Sequence, residues 1–168
     1  MSQKRVSRRE FLICAGMVTA GLIAAQSNKL RLHAGDHCPK AFGEERSDRI
    51  VVPRGWMDAG VDVALGSDAP TTPWYAPQIT LAGAVSRPPL SNEIFGPEHC
   101  MTIQEAMREY TMGSAYATFE EDIKGSIEVG KLADLIVWKH GPYTSTLKEH
   151  GSQPVDMTIV GGEMVYQA

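Results

Sequence analysis

The chain has 168 residues, of which 43% are hydrophobic and 21% are charged, and its formal net charge is −4. This is the composition of a globular protein, and it excludes a disordered or collagen-like chain. No block of Lys and Arg follows the first ten residues, which argues against nucleic-acid binding and favours small-molecule partners. The length suits one domain but is short of the roughly 250 residues that a complete (β/α)8 barrel takes.

The chain begins with the pattern of an export signal. Basic residues precede an uncharged run over residues 11–25, which is the order of the n-region and h-region of a signal peptide. The string S-R-R-E-F-L resembles the twin-arginine motif, because Arg8 and Arg9 are followed by Phe11 and Leu12. A helix of fifteen residues spans about 22 Å, less than the hydrocarbon core of a bilayer, so a stable transmembrane helix is disfavoured. We predict a Tat-type export signal over residues 1–26; a short buried helix with a basic start is the alternative.

Residues 27–50 lack helical or alternating periodicity, which predicts a loop. From Pro53 the pattern predicts a short helix that stops at Gly60, and then a buried strand over residues 61–66. Prolines keep the following segment open, after which residues 78–86 carry apolar positions that predict another short helix. These elements have the order of an α/β domain.

In the second half of the chain the spacing of apolar residues changes from a helical to a strand-like period. Thr102 and Glu105 form a capping box ahead of a predicted helix, and a second helical stretch is expected over residues 114–119, after Gly113. Beyond residue 122 the pattern becomes strand-like: Ile127 and Val129 alternate, residues 135–138 are continuously apolar, and two further strands flank a Gly-Gly turn at residues 161–162. We therefore expect a small sheet after the α/β part.

One segment carries candidate chemistry. Asp68 follows the predicted strand in the sequence G-S-D-A-P. The carboxyl ends of parallel strands form the edge at which α/β proteins bind ligands, so a carboxylate placed there is a candidate for catalysis. An Asx turn that merely ends the strand is the competing interpretation. Two arginines, Arg54 and Arg87, could face a substrate carboxylate, although such residues are more often solvated.

Three blocks of sequence resemble the amidohydrolase superfamily, in particular amidohydrolase family 3. They are G-V-D-V-A-L-G-S-D-A-P, G-S-I-E-V-G-K-L-A-D-L-I-V-W and V-G-G-E-M-V-Y, and they occur in the order typical of the family. The intervening T-I-Q-E-A-M-R-E-Y-T-M-G-S-A resembles the family's helix between barrel and terminal sheet. The resemblance covers about residues 34 to 168.

The resemblance implies an α/β fold: the carboxyl-terminal end of a (β/α)8 TIM barrel over residues 27–122, and part of a small β-sandwich over residues 123–168. The barrel is then incomplete. By the same resemblance, Asp68 ends the last barrel strand, binds a metal and takes the proton from the attacking water. Asp134 is expected to be a structural residue at a strand start. Trp74, in the loop after Asp68, is the candidate substrate-binding residue.

The resemblance also implies a divalent metal, with zinc the expected ion. A catalytic zinc site takes at least three protein ligands, and the chain has no H-x-H motif. None of its histidines ends a convincing strand; they are His33, His37, His99, His140 and His150. With Asp68 as the one credible ligand, we expect that this chain does not retain the metal by itself.

The sequence leaves two functions open. The first is a hydrolase that cleaves non-peptide C–N bonds of a small amide-type substrate by metal-activated water, encoded here in truncated form. The alternative is a non-catalytic exported module that keeps the family's terminal fold. In either case we expect a periplasmic or extracellular protein, membrane-anchored if the signal is not cleaved, that engages the Tat machinery. An incomplete sheet would also leave an exposed edge open to self-association.

Overall fold

The computed structural model describes residues 22–25, 38–47, 49–70, 75–87, 96–144 and 152–168. Helices and strands alternate first, and three strands follow at the carboxyl end. The strands are β1 (Leu22–Ala25), β2 (Asp62–Leu65), β3 (Leu135–Trp138), β4 (Val155–Val160) and β5 (Glu163–Gln167). The α-helices are α1 (Cys38–Phe42), α2 (Glu44–Ser47), α3 (Pro53–Asp58), α4 (Pro77–Ser86), α5 (Ile103–Arg108) and α6 (Ser114–Ala117).

The first sheet is a parallel pair. β1 pairs with β2 along its whole length, from Leu22 opposite Asp62 to Ala25 opposite Leu65. Parallel strands need a crossover connection, which here contains α1, α2 and α3. The α/β fold expected from the sequence is confirmed in this part of the chain.

The core of the molecule surrounds β2. Its last three residues are 0–5% exposed, and two of them, Val63 and Leu65, pack with residues of α4 and α5 in one apolar cluster. The cluster comprises Val63, Leu65, Leu81, Ala84, Val85, Met101 and Ala106. The helix α4 begins with Pro77 at its first turn, as such helices commonly do, and most of its residues are buried.

A single helical segment runs from α5 to α6. The predicted capping box is present, since the Thr102 hydroxyl accepts a hydrogen bond from the Glu105 amide at 3.2 Å. Between the two helices lies a π-helical turn, Glu109–Gly113, which we call the π-turn. The sequence predicted a boundary at Gly113; instead the backbone continues through it, and the predicted stretch to residue 119 ends at Ala117.

The second sheet is antiparallel and has the order β3-β4-β5. The predicted turn between β4 and β5 is confirmed: Gly161 and Gly162 both have positive φ, which suits a two-residue hairpin loop. Asp134 lies just before β3 and accepts a hydrogen bond from the Gly161 amide at 2.7 Å, the structural role expected for it. We refer to β3, β4 and β5 as the terminal sheet.

Three further sequence-based expectations were wrong. Part of the predicted loop over residues 27–50 is helical, because α1 and α2 are too short to show a period. Ile127 and Val129 do not lie in a strand; they belong to an exposed segment of bends and turns. Arg87 is not solvated but buried, and its guanidinium donates to the Ile50 carbonyl at 3.1 Å and to the Val51 carbonyl.

Strand β1 falls inside the apolar run that was predicted to be part of an export signal. The backbone there is extended, so the alternative of a short buried helix is wrong for residues 22–25. The signal motif residues Arg8, Arg9, Phe11 and Leu12 lie outside the described residues. Within the described ranges, no helix has the length and hydrophobicity needed to cross a bilayer.

Candidate functional site

The candidate site lies where the chain leaves β2. Asp68 comes three residues after the end of the strand and has a left-handed backbone, with φ of 58°. This conformation is uncommon for a residue with a side chain and is found at turns and functional sites. The Ser67 hydroxyl oxygen accepts a hydrogen bond from the Ala69 amide at 3.3 Å, which closes a small turn around Asp68. The carboxylate is therefore placed at the carboxyl end of a parallel strand, as predicted.

The helical segment behind β2 supports this site. Ser114 Oγ donates a hydrogen bond to the Leu65 carbonyl at 2.9 Å, at the last residue of the strand. Gly113 lies so close to β2 that a Cβ added to it would be 2.2 Å from the Val63 carbonyl oxygen. Ser114 was not among the residues predicted from the sequence, because its contact with Leu65 joins residues 49 positions apart. The G-S pair after a helical pattern was the available signal.

The described residues do not by themselves form a metal site. No group of three or more His, Cys, Asp and Glu side chains in the described ranges is arranged to hold an ion. His99 Nε2 lies 3.5 Å from Glu98 Oε1 on a short turn, and His140 is exposed. His33, His37 and His150 lie outside the described residues, as does the predicted substrate-binding Trp74.

Other reactive side chains near the core are poor candidates for a base. Burial raises the pKa of the Cys100 thiol, although the nearby Arg87 partly offsets this effect. Burial also raises the pKa of the Tyr110 phenol. Both groups are neutral at pH 7, so neither can accept a proton there in place of a carboxylate.

A cavity of about 410 Å³ lies between the helices and the terminal sheet. Its wall is mainly apolar and includes Leu81, Tyr110, Ile136 and Trp138. Asp68 is not among the lining residues, so the cavity does not coincide with the candidate site.

Comparison with protein-family profiles identifies the family of this chain. The profile of the amidohydrolase family matches residues 17–166. The chain belongs to the amidohydrolase family. The match begins within the predicted export signal and includes β1 together with both sheets. The resemblance read from the three sequence blocks is thereby confirmed at the level of the family.

The sequence is also similar to individual curated proteins. The chain is 34% identical over 126 residues to an N-substituted formamide deformylase from Arthrobacter pascens, covering 74% of this chain and 23% of that protein. It is 34% identical over 113 residues to an imidazolonepropionase from Porphyromonas gingivalis, covering 67% of this chain and 25% of that protein. The chain thus spans about a quarter of the length of each of these two curated relatives.

Solved structures support the fold. An uncharacterized metal-dependent hydrolase from Pyrococcus horikoshii superposes with a TM-score of 0.63 and 18% sequence identity, covering 86% of this chain and 35% of that one. At this identity the likeness concerns the fold alone. It agrees with the α/β architecture around β2.

Proposed function

We propose that this chain supplies the carboxyl-terminal part of a hydrolase that cleaves C–N bonds other than peptide bonds. The observation that carries the proposal is the position of Asp68, held in a left-handed conformation at the end of β2 within a chain that matches the amidohydrolase family. The substrate class is a small amide or cyclic amide. The names of the two relatives, a formamide deformylase and an imidazolonepropionase, support this class.

The carboxylate of Asp68 is suited to two steps of such a reaction. An ionised carboxylate can accept the proton of an attacking water and then deliver it to the leaving amine. A divalent metal, zinc by resemblance, lowers the pKa of bound water in such hydrolases. The described residues offer no complete ligand set, so such a metal would need ligands from outside the described ranges or from a second chain.

The test compares two aspartates at opposite ends of β2. The purified chain, its Asp68→Asn variant and its Asp62→Asn variant are assayed for bound zinc and for hydrolysis of an N-substituted formamide. Each is assayed alone and with the part of the Arthrobacter pascens deformylase that this chain does not match. We expect Asp68→Asn to lose about 100-fold or more in rate, the usual contribution of a general base. Asp62 is exposed at the strand start, and its variant should retain the rate.

The opposite result would favour the non-catalytic module. A folded chain that binds no stoichiometric metal and hydrolyses no amide, alone or with the complementary part, would contradict the proposed activity. Equal rates for the two aspartate variants would contradict the role of Asp68.

We also propose that the chain is exported by way of Arg8 and Arg9 and that β1 remains attached. Cleavage after Ala25 would remove β1, which pairs with β2 along its length, so the uncleaved form is favoured. Arg8→Lys combined with Arg9→Lys should abolish export, whereas Lys4→Arg combined with Arg5→Lys should preserve it. Mass spectrometry of the exported protein would contradict the retention of β1 if the chain began at Gln26.

Self-association is a further proposal about partners. The register of the terminal sheet places five apolar residues on one face: Leu135, Val137, Met157, Ile159 and Met164. Val137 and Met164 are exposed. An apolar sheet face of this kind favours association with a second copy. Sedimentation should show a concentration-dependent dimer that Met164→Lys weakens, and a monomer at all concentrations would contradict the proposal.

A further inference from the structure

The end of β2 is held in place by the helical segment from α5 to α6, which packs against it. The π-turn brings Gly113 against the strand, where a Cβ would lie 2.2 Å from the Val63 carbonyl oxygen and 2.7 Å from Glu109 Oε2. Only a residue without a side chain permits this approach. π-turns inside α-helices often occur at functional sites, because the extra residue redirects the helix surface. Here the residue that directly follows the π-turn is Ser114.

Ser114 makes a contact that reaches the candidate site. Its Oγ lies 2.9 Å from the Leu65 carbonyl oxygen and 3.4 Å from the Glu109 carbonyl oxygen. The shorter distance identifies Leu65 as the principal acceptor. Leu65 is 4% exposed. A buried carbonyl without a hydrogen-bond partner destabilises the folded state, because its lost contact with water is not replaced. The hydroxyl therefore stabilises the orientation of the last peptide group of β2.

The orientation of the Leu65 peptide group influences the backbone conformation of Asp68. Only Gly66 and Ser67 separate the two residues, and Asp68 has a positive φ, which aspartate adopts more often than most residues but only at single positions such as turns. A strained backbone persists where its surroundings over-determine it. The hydrogen bond between Ser67 and Ala69 spans Asp68 and constrains its backbone. The hydrogen bond from Ser114 fixes the Leu65 carbonyl, and with it the start of the loop that leads to Asp68.

We propose that Ser114 is a positioning residue for Asp68. Its hydroxyl, brought against β2 by the π-turn and by the absence of a side chain at Gly113, fixes the Leu65 carbonyl and thereby the left-handed conformation of Asp68. That this positioning matters for hydrolysis rests on the proposed function. The structural coupling between Ser114 and Asp68 is independent of that function.

The experiment uses NMR of the full chain and two matched variants. Ser114→Ala and Thr118→Ala each remove one hydroxyl of the same helical segment: that of Ser114 donates to the Leu65 carbonyl, whereas that of Thr118 lies 2.6 Å from Glu120 Oε2 and 3.0 Å from the Ala115 carbonyl oxygen. The readouts are the three-bond HN–Hα coupling of Asp68, which reports its φ, and the amide exchange of residues 66–69. We expect Ser114→Ala to change the coupling and to accelerate exchange about tenfold. Thr118→Ala should leave both unchanged.

A conservative variant separates positioning from a general loss of stability. Ser114→Thr keeps the hydroxyl and should restore the wild-type coupling of Asp68. Similar effects of Ser114→Ala and Thr118→Ala on Asp68, or an unchanged coupling in Ser114→Ala, would overturn the proposal. If the coupling changes as expected while the chain hydrolyses no amide, the positioning holds and only the proposed hydrolase function fails.

Discussion

The two sheets of this chain are stabilised in different ways. The described side chains of β2 beyond Asp62 are buried by α4, α5 and the π-turn, whereas every residue of β5 is exposed and none in β3 or β4 is fully buried. The first sheet therefore depends on tertiary packing. The terminal sheet depends on its ladder, its glycine turn and a few local hydrogen bonds. Catalytic groups need rigid support, and of the two sheets the one that contains β2 provides it.

The largest expected effect comes from breaking the packing on β2. Gly113→Ala would bring a Cβ within 2.2 Å of the Val63 carbonyl oxygen, so the helix and the strand must separate. We expect a loss of at least about 3 kcal/mol in the free energy of unfolding, measured by urea denaturation. Gly66→Ala is the control, because its Cβ would meet nothing within 4 Å. Equal losses in the two variants would contradict the close approach.

The second prediction contrasts a core residue with a residue of the terminal sheet. Leu81 is 2% exposed and Met164 is 55% exposed. Leu81→Ala should lower the free energy of unfolding by about 2–5 kcal/mol, because it leaves a cavity. Met164→Ala, measured with the protein dilute, should change it by less than about 1 kcal/mol. If the two losses are equal, β5 is buried in solution and the contrast between the sheets is wrong.

The third prediction concerns the hydrogen bond from Gly161 to Asp134. Asp134→Ala removes the acceptor that anchors the turn between β4 and β5. We expect a loss of about 1 kcal/mol, because the pair is exposed to water. Hydrogen exchange should accelerate at Gly161 and remain unchanged in β2. Faster exchange in β2 as well would show that the two sheets unfold together.

The smallest effect lies in the segment that joins α6 to the terminal sheet. Hydrogen bonds from Lys124 and Thr118 hold the pKa of the Glu120 carboxyl below its ordinary value. A lowered pKa in the folded state stabilises the fold above the ordinary pKa, and this contribution is lost as the pH falls through the folded-state value.

The test follows the thermal midpoint with pH. Glu120→Gln should lower the midpoint slightly at pH 7, and its difference from wild type should vanish well below pH 4.5. Asp122→Asn, a change at an exposed carboxyl nearby, serves as the control. A difference that persists in acid would show that the effect is not due to charge.

Local signals predicted much of this fold. The capping box at Thr102, the proline at the start of α3 and the glycine pair at residues 161–162 each define an element through contacts within a few residues. Strand β2 was predicted because its apolar run is bounded by glycines. Asp68 could be chosen as a candidate because it lies just beyond the end of that strand.

The remaining features depend on distant contacts. A short apolar run such as Leu22–Ala25 is compatible with a signal, a helix or a strand, and only its pairing with β2 distinguishes them. Gly113 suggested a helix end, but its actual role is close approach to Val63. For Ser114 the G-S pair gave a local signal, but it could not indicate the partner Leu65, which lies far away in the sequence.

The parallel pairing of β1 and β2 has a consequence for the order of folding. Leu22 and its partner Asp62 are 40 positions apart, whereas two residues separate Val160 from Glu163. Closing the longer loop costs about 3 kcal/mol of chain entropy before any packing can offset it. Hairpins form within microseconds, whereas contacts between distant residues form slowly. The exposed terminal hairpin should therefore gain amide protection early in refolding, and the strand that presents Asp68 should gain it late.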